Sequence, residues 1–175
     1  GTSQAFAYRA AVTGMVTGNG AYTIAGLPTD PLPASTMGAN NSQGASLIVI
    51  YSLPGAPART VVITDGAVTL SGNYLQYAEA TMGGFTAAAP LTGATVTFVV
   101  GDGQDYTPEY AGMHATLLAT NEFKGSNGNY WDTRTYDVSA AVSAGSTQAA
   151  AILSTTNDTL LWVAAVLSVP EQSAR

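Results

Sequence analysis

The chain has 175 residues, enough for one domain with a sizeable core and short for two. Hydrophobic residues make up 46% of it and charged residues only 9%, with eleven acids against five bases, a net charge of −6 and a pI near 4.3. This balance excludes a nucleic-acid partner and a polybasic membrane patch, which both need a basic footprint. No apolar run reaches the ~18 to 20 residues of a membrane helix, and the absence of cysteine excludes disulfides and thiolate metal sites.

Residues 1–16 form an alanine-rich arm dotted with Phe6, Tyr8, Val12 and Val16. Two readings stay open for it: the first strand of the domain, or an arm that adds to a neighbouring subunit's sheet. Residues 21–25 are a weak strand candidate. Residues 27–43 carry three prolines and no periodicity, which predicts an extended surface loop. Three β-branched runs bounded by Gly, Pro or turn residues then predict strands: 45–52 (ASLIVIYS), 60–64 (TVVIT) and 94–100 (ATVTFVV).

Weaker strand candidates are 67–70, 114–118, 135–138 and 148–153, with Gly and Asn turn signals between the runs. Helix signals are confined to residues 74–80 (YLQYAEA). An alanine-rich stretch at 140–151 is interrupted by Gly145, Ser146 and Thr147, so a strand or turn is expected there. The longest apolar run, 160–169 (LLWVAAVLSV), has the length of a strand. About ten short strands without alternating helices predict a single all-β domain over residues 1–175, an antiparallel β-sandwich of jelly-roll type.

Five blocks occur in a recognisable order: GASLIVIY from Gly44, RTVVITDG from Arg59, VTFVVGDGQ from Val96, NYWDTRTYDVS from Asn129 and NDTLLWVAAVLSV from Asn157. Together they resemble a domain-of-unknown-function family of secreted and cell-surface proteins of bacteria and archaea. The resemblance implies a surface location and a β-sandwich, and it brings no catalytic residues with it. A surface of Thr, Ser, Asn and Gly with one lysine, Lys124, also suits an extracellular setting. A chain that opens on Gly1 with no basic or apolar leader fits a processed secreted protein or a piece of a longer one.

The chemistry-bearing residues point away from catalysis. His114 is the single histidine, and no Gly-x-Ser-x-Gly elbow accompanies it, so no nucleophile–base pair is signalled. Asp102, Asp105, Glu109, Glu122, Asp132 and Asp137 could supply paired carboxylates for glycoside hydrolysis. Most sit beside Gly or Asn, where Asp ties turns through its side chain. Lys124 lies in a Gly- and Asn-rich loop and reads as a solvated lysine rather than half of an isopeptide cross-link.

Calcium needs hard oxygen ligands on loops, and GDGQD (Gly101 onward) offers Asp102 and Asp105 as candidate ligands for a structural ion. Tyr106, Tyr110, Tyr130 and Trp131 are candidates for a sugar-stacking platform. The polar stretch NGNYWDTRTYDVS (Asn127 onward) reads as a corner between strands, with Asp132, Asp137 and Arg134 fastening loop backbone. The expectation is a non-enzymatic extracellular structural or adhesive protein, a homo-oligomeric subunit or module of a filament, pilus or adhesin with no membrane insertion. The alternative is a carbohydrate-binding module that binds glycans, stabilised by calcium.

Overall fold

The computed structural model describes residues 5–27, 42–105, 108–127 and 130–172. Within them the chain forms eight strands: β1 (Arg59–Ser71), β2 (Tyr77–Gly83), β3 (Thr95–Gly103), β4 (Glu109–Met113), β5 (Thr116–Thr120), β6 (Tyr130–Asp137), β7 (Gln148–Thr155) and β8 (Thr159–Pro170). They make two antiparallel four-stranded sheets, in the orders β1-β8-β3-β6 and β2-β7-β4-β5. The first strand pairs with the last, the second with the seventh, the third with the sixth and the fourth with the fifth. The chain is thus one long hairpin rolled up so that alternate pairs fall in different sheets, which is the jelly roll.

Period-two alternation decides which side chains face between the sheets. From the first sheet come Val96, Phe98 and Val100 of β3, with Leu160, Trp162, Ala165 and Leu167 of β8. The second sheet answers mostly with small residues: Ala149 and Ala151 of β7, and Ala111 beside Met113 of β4. Small side chains leave room for the rings opposite. Phe98 stacks on Trp162 at 5.7 Å and meets Phe123 and Tyr136 edge-on at 6.3 and 6.1 Å. Trp162 could not be buried with a bare N–H. Its Nε1 donates to the carbonyl of Ala164, 3.1 Å away, beside the point where the β8 register slips against β3 and β1.

That slip corrects one expectation and explains it. Runs 60–64 and 67–70, separated in the sequence by the turn signal Asp65-Gly66, are one strand whose register shifts between Asp65 and Val68. Residues 74–80, read as helical, run into β2, because Ala78, Ala80 and Met82 alternate inward with period two. The described strands number eight, and none of them lies before Arg59. Residues 5–27 and 42–58 contain a 3-10 turn, Thr13–Met15, and a hydrogen-bonded turn at residues 53–56, but no strand. Neither the described part of the arm nor the run 45–52 pairs as a strand. Most of the Pro-rich loop expected over 27–43 lies outside the described residues.

Replacing Phe98 by Ala removes the ring that joins three other aromatics in a fully buried position. Urea denaturation should show a loss of about 3–5 kcal/mol, the range for deleting a buried aromatic side chain.

Candidate functional site

Two features stand out from the folded body: a buried acidic corner at one end of the sandwich, and an apolar segment left on its outside. The corner is built on β6 and the loop before it. The Asp132 carboxylate is buried and accepts from the Gly125 and Ser126 amides at 2.7 and 2.9 Å and from the Ser126 hydroxyl at 2.7 Å. Opposite, Gly103 lies so close to Asp132 and to the Phe123 carbonyl that a Cβ there would overlap both. Asn127 extends the edge of β6: its amide donates to the Trp131 carbonyl, and its side-chain oxygen accepts from the Thr133 amide. Arg134 donates to the Glu122 carbonyl at 2.9 Å. Asp137 accepts from the Ser139 amide, and this bond holds its carboxyl below the ordinary range. Each of these side chains makes at least one hydrogen bond, as a structural corner requires.

Deeper in the same corner Glu109, one of the candidate carboxylates, lies with Asp158, which the sequence did not single out. Glu109 is fully buried at the start of β4, and one carboxylate oxygen accepts from the Phe123 amide at 3.0 Å. Asp158, in the turn between β7 and β8, is also buried and accepts from the Thr159 amide. The other oxygens, Glu109 Oε1 and Asp158 Oδ2, have no N–H or O–H donor if both groups are ionised. A neutral acid suits such a site, because a protonated carboxyl needs less solvation than a carboxylate and can donate to a neighbouring one. Burial pushes the Glu109 carboxyl up to about 8, with the charges of Asp158 and Asp132 adding to the shift and the Phe123 amide opposing it. Burial raises Asp158 as well. Asp158 occurs in an Asn-Asp pair that reads as a simple turn, and only the third dimension brings it to Glu109.

The carboxylates offered to calcium part company. Asp102 is half-buried, accepts from Gln43 Nε2 at 3.0 Å and is raised by burial. Asp105 is exposed and pairs with Lys124 at 2.8 Å. Among the described residues no three acidic or histidine side chains gather as metal ligands. The aromatics divide likewise. Tyr110 is on β4 in one sheet, Tyr130 and Trp131 are on β6 in the other, and Tyr106 lies outside the described residues. Trp131 is only 8% exposed, because residues 43–46 lie over it. Gly44 packs against its indole, and its Nε1 donates to the Ser46 hydroxyl at 3.1 Å. His114 sits at the β4–β5 hairpin with a φ of 51°, beside a hollow of about 180 Å³.

Trp131 belongs to a second apolar cluster, with Val99, Val163 and Ala164, on the outer face of the first sheet. The segment that covers it is itself apolar. Leu47, Ile48, Val49, Ile50, Tyr51 and Leu53 are between 41% and 79% exposed. Among the described residues, the backbone of 44–52 makes no hydrogen bond to other backbone. It is a strand-like sequence without a sheet.

No family model matches the chain, and no curated protein matches it. Among the described residues no helix is long and apolar enough to cross a membrane.

The Glu109 pair gives a pH dependence whose sign is fixed. An acid raised from about 4.5 to about 8 on folding contributes stability that is complete below pH 4.5 and is lost as pH rises through 8. The melting temperature should therefore fall between pH 5 and pH 8.5. Glu109→Gln keeps a neutral donor in place and should flatten that fall.

Proposed function

We propose that this protein is a non-enzymatic structural subunit that assembles with copies of itself at the cell surface, as part of a filament, coat or adhesin. One observation carries the reading: among the described residues the exposed apolar surface is concentrated ahead of the sandwich, on chain that joins no sheet. Among the described residues, twelve of the nineteen exposed large apolar side chains fall within residues 5–53, although the strands begin at Arg59. At roughly 100 Å² each, half of a large side chain's area, they present on the order of 1,200 Å². A stable interface needs about 800 Å² from each partner. Surface of this extent and kind marks an interaction site.

The chemistry of the surface suits a partner of the same composition. Residues 42–58 carry no charge, so recognition there rests on apolar burial and backbone pairing. Jelly rolls serve as coat subunits as well as lectins. The structural use is favoured here because the candidate stacking aromatics are spread over two sheets and Trp131 is covered. The low charge, the polar uncharged surface and the block resemblance support an extracellular setting.

Light scattering coupled to size exclusion tests the reading. The protein should run as a concentration-dependent multiple of 17.7 kDa that survives 1 M NaCl, since apolar contacts are not screened. A single 17.7 kDa species at every concentration would remove the reading.

A further inference from the structure

The self-association reading leaves open where the unpaired segment goes, and the four sheet edges differ enough to choose among them. Unpaired edges are templates for strand addition unless they are short, bulged, charged or covered. The edge at β1 is broken by the register shift at Asp65, and Arg9 bridges to Asp65 at 2.9 Å. At β6 the edge is covered by Asn127, which bonds both Trp131 and Thr133. The edge at β5 is only five residues long and has a register shift against β4.

The remaining edge, β2, is neither short, bulged nor covered. It runs seven residues in unbroken register with β7, from Tyr77 opposite Ser154 to Gly83 opposite Gln148. Among the described residues its other side has no backbone partner. Its one charge, Glu79, accepts from the Tyr77 hydroxyl along the same strand at 2.8 Å. Beside it the two sheets part to leave a cleft of about 310 Å³, with Ala78, Ala80, Val68 and Trp162 in its lining and the carboxylates of Asp65 and Glu79 also lining it. The small alanines make a trough into which alternate side chains of an added strand can project.

We infer that residues 45–52 of one copy add as a fifth strand to the β2 edge of a second copy, with alternate apolar side chains in the cleft between β1 and β2. This rests on the self-association reading and deepens it. Donor and acceptor lengths agree, eight residues against seven. The donor is uncharged and free of proline, so every position can join a ladder. It cannot serve its own β2 edge, because Ser46 is tied to Trp131 and Thr133 on β6, at the far edge of the other sheet. Donor and acceptor therefore lie on opposite flanks of the sandwich. An interface of that kind is head-to-tail and propagates into a chain or closes into a ring.

The prediction is a complementation between two defective copies. Ile48→Pro removes an N–H from the donor and lies outside every strand, so the sandwich folds without it. Thr81→Lys places a blocking charge on the exposed edge of β2. By light scattering, each variant alone should lose the oligomer and run as a monomer. An equal mixture should restore a 1:1 dimer that grows no further, because one intact donor and one intact acceptor remain. If the unmodified protein assembles and the Ile48→Pro protein assembles equally well, the strand addition is wrong while self-association stands. Assembly by Thr81→Lys alone, with Ile48→Pro monomeric, would move the acceptor away from β2 and overturn the inference as stated. A monomeric unmodified protein overturns both.

Discussion

β8 has to be buried on both of its faces. It lies between β1 and β3 in the first sheet, so neither of its edges is free. Its inward residues, Trp162, Ala165 and Leu167, fill the space between the sheets, and Leu161 and Ala164 on the other side are also no more than 7% exposed. A strand covered on both faces reads as a continuous apolar run, which is how LLWVAAVLSV reads. An ordinary sandwich leaves the outer face of each sheet to water. Here the outer face of the first sheet carries Val99, Trp131 and Ala164, and it needs a third layer.

Residues 43–46 supply part of that layer, and the rest of the molecule follows from how they do so. Gly44 lets the chain lie flat against the Trp131 indole, and Ser46 takes up the indole N–H. The chain is then committed to crossing a sheet face rather than joining a sheet edge. Residues 47–52 leave this contact with no backbone–backbone hydrogen bond among the described residues and with their large apolar side chains half in water. A segment with high β-propensity, no charge and no proline is an aggregation hazard when it stays exposed. A specific partner strand turns the hazard into an interface.

Much of the sandwich was legible because alternation and turns are local signals. The runs at 60–64, 94–100 and 160–169 became β1, β3 and β8, three adjacent strands of the first sheet. The corner at Asp132 and Arg134 was also legible, since Asp and Asn beside Gly announce side-chain turns. The run 45–52 shows where local signals stop: its residues state a preference for a strand and say nothing about where a pairing edge lies. The helical reading of 74–80 failed for a related reason, as the inward positions of β2 are small and only their burial reveals the period. The candidate ligands Asp102 and Asp105 are near neighbours in the chain yet turn to Gln43 and Lys124. Glu109 and Asp158 are 49 positions apart, and of the two only Glu109 stood among the candidate carboxylates.

The account depends on residues 45–52 being the part of the surface that assembly covers. Amide hydrogen exchange, followed by mass spectrometry over a range of protein concentrations, measures this directly. Backbone groups that join a ladder exchange slowly, and those in water exchange at once. The account predicts that peptides spanning 45–52 and β2 gain protection together as the protein assembles, while β8 stays protected throughout. Rapid exchange over 45–52 in the fully assembled protein would contradict it.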